Sequence, residues 1–187
     1  SGLQTINFAA QAVMSGAQDV VLAGGVESMT RVMMGSDFGP PPTSLTEKYA
    51  LVPQGISAEM VAEKWGISRE ECDQFGYESQ KKAIAAIEAG KFKNEILGIE
   101  VENDDGTKRV FETEEYPRPD ASLEKMATLM PAFKPDGVIT AGNSSGIVDG
   151  AAVALVTTSE KAKALGWTPR ARIVSMAIVG SEPIIML

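Results

Sequence analysis

Histidine is absent from the 187 residues. That removes the commonest general base and the commonest metal ligand together, so any chemistry in this chain rests on other groups. Cysteine is nearly absent. Cys72 stands alone, which excludes an intrachain disulfide and fits the reducing cytoplasm in which the protein is expected. Cations are outnumbered, with 17 Lys and Arg against 25 Asp and Glu and a formal charge of -8. A nucleic acid or an anionic membrane surface is therefore not the expected partner, because both need clustered positive charge. No apolar run reaches the roughly 18 residues of a spanning helix, and no basic segment followed by an apolar core marks an export signal. Internal repeats and low-complexity tracts are also missing. The chain opens on Ser1 without a methionine and stops at Leu187 directly after an apolar run, and both ends look cut.

What remains is 44% hydrophobic and 22% charged, enough for one sizeable core or for a domain with a large insertion. Residues 2 to 16 carry apolar or small side chains all round a helical wheel, which predicts a helix buried on several sides. Val20 to Gly25 then reads as a parallel strand covered on both faces. Helix followed by buried strand predicts a layered α/β domain. Glu27, at the strand's carboxyl end, is expected to be buried and to tie down the following loop. A catalytic role is weaker, because no second acid or base lies near it in sequence.

From Gly39 the composition becomes more polar. Ser57 to Trp65 reads as a short helix, and Ser68 with Glu71 forms a capping-box pattern opening a longer helix closed by Gly90. Cys72, Phe75, Ala83 and Ala86 share one side of it, which makes Cys72 a core-face residue, and the neighbouring Glu70, Glu71 and Asp73 oppose a thiolate. Asp105-Gly106 marks a hairpin turn. Asp120 is a candidate cap for a helix over Ser122 to Leu129. Ala151 to Thr157 and Arg172 to Val179 read as further strands, separated by a helix over Ser159 to Leu165 that ends at Gly166.

Between these lies Pro131 to Gly150, PAFKPDGVITAGNSSGIVDG. Its four glycines beside small polar side chains suit either close approach to a ligand or a turn between core elements. The organisation that follows is a first core part over 1–31, an inserted unit over 32–137, the core's return over 138–168 and the start of a second core over 169–187. An excursion of that length is usually functional.

Read together, SGLQ at Ser1 to Gln4, GGVESMTR at Gly24 to Arg31, PQGISAEMVAEKW at Pro53 to Trp65, LMPAFKPDG with VITAGNSSGIVDGAA, and TPRARIVSMAIVGSEP resemble the thiolases, the acetyl-CoA acyltransferases and acetyltransferases. The resemblance implies a five-layered αβαβα fold with a mostly helical inserted loop domain that binds coenzyme A. It also implies acyl transfer to and from coenzyme A, by 3-ketoacyl-CoA thiolysis or the reverse Claisen condensation, as in fatty acid β-oxidation. Coenzyme A is then a substrate, with no separate cofactor and no metal, and the complete protein is expected to be a homo-oligomer.

By the same resemblance the nucleophilic cysteine falls just before Ser1, and the NEAF, GGAIALGHP and CGGG motifs of the second half are not in this sequence. No catalytic residue is therefore expected here, and the 187 residues alone are expected to be inactive. Arg118 and Ser122 are implied at the nucleotide end of coenzyme A, with Leu129, Ala132, Phe133, Ala141 and Ser145 along the pantetheine path. Pro53-Gln54 replaces a His-Met pair of short-chain biosynthetic members, which points to degradative enzymes with larger substrates. Two other readings stay open: a non-catalytic coenzyme A binding or scaffold subunit of a split thiolase, and a ketosynthase-like condensing enzyme.

Overall fold

The computed structural model describes residues 2–187, and the chain forms two compact units. Residues 2–42 and 147–181 make the first, and 43–146 with 182–187 make the second.

In the first unit, helix α1 (Gly2–Met14) packs on a two-stranded sheet of β1 (Val20–Glu27) and β4 (Gly150–Thr157). Helix α6 (Ser159–Ala164) follows β4. The buried positions are small: Ala9, Ala10 and Val13 on α1, Ala23 on β1, and Ala162 on α6. Small side chains let helix and sheet approach closely, but they bury little area. After α1 the backbone turns through Gly16 in the left-handed region, where a side chain is strained. Lys161 Nζ and Thr157 Oγ1 then donate to the Asp19 carboxylate and carbonyl at 3.1 and 2.7 Å, fastening β1 to the β4–α6 corner.

Four expectations fail in this unit. The β1–β4 ladder is antiparallel, with Val20 opposite Thr157 and Glu27 opposite Gly150, not a parallel strand covered on both faces. Cross-strand register puts Leu22, Val26, Val153 and Leu155 on one face, and that face is exposed. Leu3, Phe8 and Met14 of α1 are exposed too, so the helix is buried along one stripe only. Glu27 is exposed, and its carboxylate accepts the neighbouring Ser28 N–H at 3.0 Å. Arg172 to Val179 forms no strand: the β1–β4 sheet stays two-stranded, and this segment pairs with neither of its open edges. Residues 169–187 carry no helix or strand at all.

The second unit is largely helical: α2 (Thr43–Thr46), α3 (Gln54–Trp65), α4 (Arg69–Glu88) and α5 (Leu123–Ala127), with the exposed hairpin β2 (Ile99–Glu102) and β3 (Lys108–Phe111). The capping box forms in full. Glu71 N–H donates to Ser68 Oγ at 3.1 Å, and Ser68 N–H donates to the Glu71 carboxylate at 2.8 Å. Gly106 takes a left-handed conformation at the hairpin turn, as Asp105-Gly106 predicts. The cap of α5 is Ser122, not Asp120. Ser122 Oγ accepts the Lys125 N–H at 3.2 Å, while Asp120 lies two residues too early and pairs with Lys125 Nζ at 2.7 Å. Phe75 is 78% exposed, so it does not share the half-buried side of α4 with Cys72, Ala83 and Ala86.

Candidate functional site

All seven residues singled out by the resemblance lie in the second unit, on α5, its flanks, and the glycine-rich segment that follows. Arg118 precedes α5 and is tied to α4 through its backbone N–H, which donates to Gln80 Oε1 at 2.8 Å. Its guanidinium and, more strongly, the Lys125 ammonium hold the Asp120 carboxyl below the usual range. Ser122 caps α5. At the other end of that helix, the Leu129 carbonyl accepts Arg69 Nη2 at 3.0 Å. Ala132 N–H donates to the Ile139 carbonyl at 2.8 Å, closing the loop that carries Phe133. The Phe133 ring rests on Gly55 of α3, in space that any Cβ there would fill. Ala141 and Ser145 sit exposed in the turn beyond.

Leu129 and the turn do meet. Gly142 lacks the side chain that Leu129 would strike, since a Cβ there would lie 2.7 Å from Leu129 Cδ1. Arg118 and Ser122 belong instead to the entry of α5. The site is thus two clusters on one short helix, a polar one at its start and an apolar one beyond its end.

Beneath this surface lie groups that the sequence pattern did not single out. Glu59 of α3 is 4% exposed, and its two carboxylate oxygens accept the N–H groups of Ile139 and Val138, each at 2.9 Å. Asp73 of α4 is equally buried, accepting Arg69 Nε at 2.7 Å and Asn143 Nδ2 at 2.9 Å. Arg69 Nη2 reaches the Met126 carbonyl at 2.7 Å, which joins α4 to α5. Two buried carboxylates, 14 residues apart in sequence, therefore grip one glycine-rich segment. Each is compensated by charge-assisted hydrogen bonds, as burial requires.

One signal in the sequence marks the contact of α4 with the segment they grip, though not the carboxylates themselves. Gly76 interrupts an otherwise good helix, where glycine costs about 1 kcal/mol against alanine. The structure supplies the reason: a Cβ at Gly76 would lie 2.8 Å from the Gly142 carbonyl oxygen.

Cys72 is half-buried beside this network. Burial pushes its thiol above the ordinary value, and the carboxylates of Asp73, Glu59 and Glu71 push it further. A nucleophile needs the opposite. Among the described residues, no group of three or more His, Cys, Asp or Glu side chains is arranged to hold a metal.

Comparison with known proteins places this arrangement. The family description "Thiolase, N-terminal domain" matches residues 1–160. An acetyl-CoA acetyltransferase of Chromobacterium violaceum is 44% identical over 200 residues, covering 100% of this chain and 51% of that relative. A 3-ketoacyl-CoA thiolase of a Psychrobacter species is 44% identical over 189 residues, covering 100% of this chain and 48% of its own length. The crystal structure of the Bacillus anthracis acetyl-CoA acetyltransferase superposes with a TM-score of 0.83 at 37% identity, over 100% of this chain and 50% of that one. The chain thus spans about half the length of the curated relatives it matches, and its α/β fold is thiolase-like. With the family description covering all but its last 27 residues and the superposition running from end to end, the chain belongs to the thiolase family.

Proposed function

We propose that the complete protein is a thiolase that moves acyl groups to and from coenzyme A, and that these 187 residues supply core scaffold and coenzyme A binding surface. The observation that carries this reading is the end-to-end likeness to a solved acetyl-CoA acetyltransferase. In thiolysis a cysteine thiolate attacks the ketone carbon of a 3-ketoacyl-CoA, the bond to the α-carbon breaks, and acetyl-CoA leaves after that carbon is protonated. The thiol of a second coenzyme A then takes the acyl group, and the enzyme thiol is restored. Cys72 is unsuited to the first step, because its surroundings favour the protonated thiol. This segment's part is accordingly binding.

Arg118 at the entry of α5 offers a cation for the nucleotide end, with Ser122 beside it. Leu129, Ala132, Phe133, Ala141 and Ser145 offer a mostly apolar surface for the pantetheine arm. Pro53-Gln54, at the start of α3, supports a larger acyl group than acetoacetyl. Coenzyme A acts as substrate, and the complete protein is a cytoplasmic homo-oligomer. Among the described residues no helix is long and apolar enough to cross a membrane.

The test is thiolysis by the complete protein across a series of 3-ketoacyl-CoA chain lengths. Cleavage that depends on free coenzyme A, and is fastest above the acetoacetyl length, is the expected result. Activity confined to acyl-carrier-protein substrates would instead make it a ketosynthase-like enzyme.

A further inference from the structure

We propose that Asp73, Gly76 and Asn143 are positioning residues for coenzyme A. Together they form a cradle on α4 that fixes the 140–145 turn without touching the ligand. The proposal rests on the coenzyme A reading above.

The cradle is built from two positions one helical turn apart on α4. Asp73 and Gly76 are three residues apart, so they face the same way. Asp73 Oδ1 accepts Asn143 Nδ2 at 2.9 Å, and the same amide nitrogen donates to the Val138 carbonyl at 2.9 Å. Asn143 Oδ1 accepts the Thr140 N–H at 2.8 Å, so one side chain bridges the helix and both sides of the turn. Thr140, fully buried, completes the ring. Its Oγ1 accepts the Gly142 N–H at 3.2 Å, and its carbonyl accepts Ser144 Oγ at 2.7 Å. Gly76 then leaves room for the Gly142 carbonyl, where a Cβ would also lie 3.1 Å from Met126 Cε and 3.3 Å from the Asn143 Cα.

The consequence is a turn whose Thr140 and Asn143 side chains are engaged inward and whose outward residues, Ala141 and Ser145, are exposed. A flexible turn would lose conformational entropy on gripping a ligand, whereas this one has already lost it in folding. A mere structural tie would not need two side-chain-bound backbone amides and a helix glycine to hold two outward side chains in place. Helix stability alone argues against glycine at position 76, so its presence marks the geometry of the turn as the quantity being held.

The experiment uses the complete protein in thiolysis, with KM for coenzyme A, kcat and Tm read for each variant. Gly76→Ala gains helix propensity while crowding the Gly142 carbonyl. It should raise KM for coenzyme A roughly tenfold with kcat nearly kept, and lower Tm, because the atom it crowds is backbone. Asn143→Ala should raise KM by a similar factor and lower Tm as well. Ser68→Ala, which weakens α4 at its cap, serves as the control and should lower Tm with KM unchanged. Unchanged KM in both Gly76→Ala and Asn143→Ala would overturn the cradle, as would an equal rise in KM for Ser68→Ala. An unsubstituted protein that neither binds nor consumes coenzyme A would overturn the reading beneath the proposal. Its binding equally to unsubstituted protein and variants would overturn the cradle alone.

Discussion

The two units of this chain are held together by different physics. In the first, the buried side chains among the described residues are Ala9, Ala10, Val13, Ala23 and Ala162, with no charged group among them. In the second, Ser57, Glu59, Asp73 and Thr140 are buried beside Ala62 and Met126. Small apolar contacts are non-directional and tolerate adjustment, whereas buried carboxylates demand particular donors at particular places. The first unit is thus specified by shape and the second by hydrogen-bond geometry. It is the second that carries the proposed ligand surface, where loose placement would cost binding. The first leaves Leu22, Val26, Val153 and Leu155 exposed on one sheet face, an apolar area of the kind that marks contact with other protein.

The sharpest way to break this contrast is to delete one buried side chain from each unit. Glu59→Ala strands the N–H groups of Val138 and Ile139 in a buried site, and two unsatisfied donors should cost about 3 kcal/mol. Val13→Ala removes apolar contact alone and should cost about 1.5 kcal/mol. Hydrogen exchange by mass spectrometry on the complete protein separates the two effects. Glu59→Ala should speed exchange around residues 137–146, and Val13→Ala around α1 and β1. Equal losses, or faster exchange spread evenly over both units, would dissolve the distinction.

A smaller test compares like with like. Ser68 caps α4 in the second unit, and Thr158 caps α6 in the first, each accepting a backbone N–H three residues on at 3.1 Å. Only Ser68 has a reciprocal bond, from its N–H to Glu71. Ser68→Ala and Thr158→Ala should each cost about 1 kcal/mol, read by urea denaturation. A much larger loss at Thr158 would show that the α6 corner is more demanding than its small buried Ala162 suggests.

Local signals survived into the fold best. Ser68 and Glu71 announced a capping box, Asp105-Gly106 a hairpin, and Gly166 the end of α6, because each is decided by residues within a turn of one another. The antiparallel pairing of β1 with β4 was not legible. An apolar run such as VVLAGG does not encode its partner, and that partner lies more than 120 residues away. Arg172 to Val179 shows the same limit from the other side, since strand propensity without an adjacent edge makes no strand. In the site, the small and apolar surface residues could be named from resemblance, but Glu59 and Asp73 could not. In a sequence with 25 acidic residues nothing local distinguishes a buried carboxylate from a solvated one. Apart from Arg69, four residues before Asp73, the partners that compensate their burial come from 79 and 70 residues further along the chain.

Cys72 gives the smallest effect and the most direct view of that buried charge. Its thiol is pushed above the ordinary value first by burial, then by Asp73, Glu59 and Glu71, with Arg69 opposing. All but Arg69 act against the thiolate, so at neutral pH the group is more fully protonated than a free cysteine. Alkylation proceeds through the thiolate, and its rate against pH should therefore reach half-maximum at a more alkaline pH than that of a free thiol. The Asp73→Asn variant removes the largest of the opposing charges and should move the profile back toward neutral pH, while Asp19→Asn in the first unit should leave it in place. Peptide mapping of iodoacetamide adducts at Cys72 reads both. A profile indifferent to Asp73 would mean that burial alone sets this thiol, and that the charges of the second unit are neutralised too completely by Arg69 and the backbone amides to be felt one residue away.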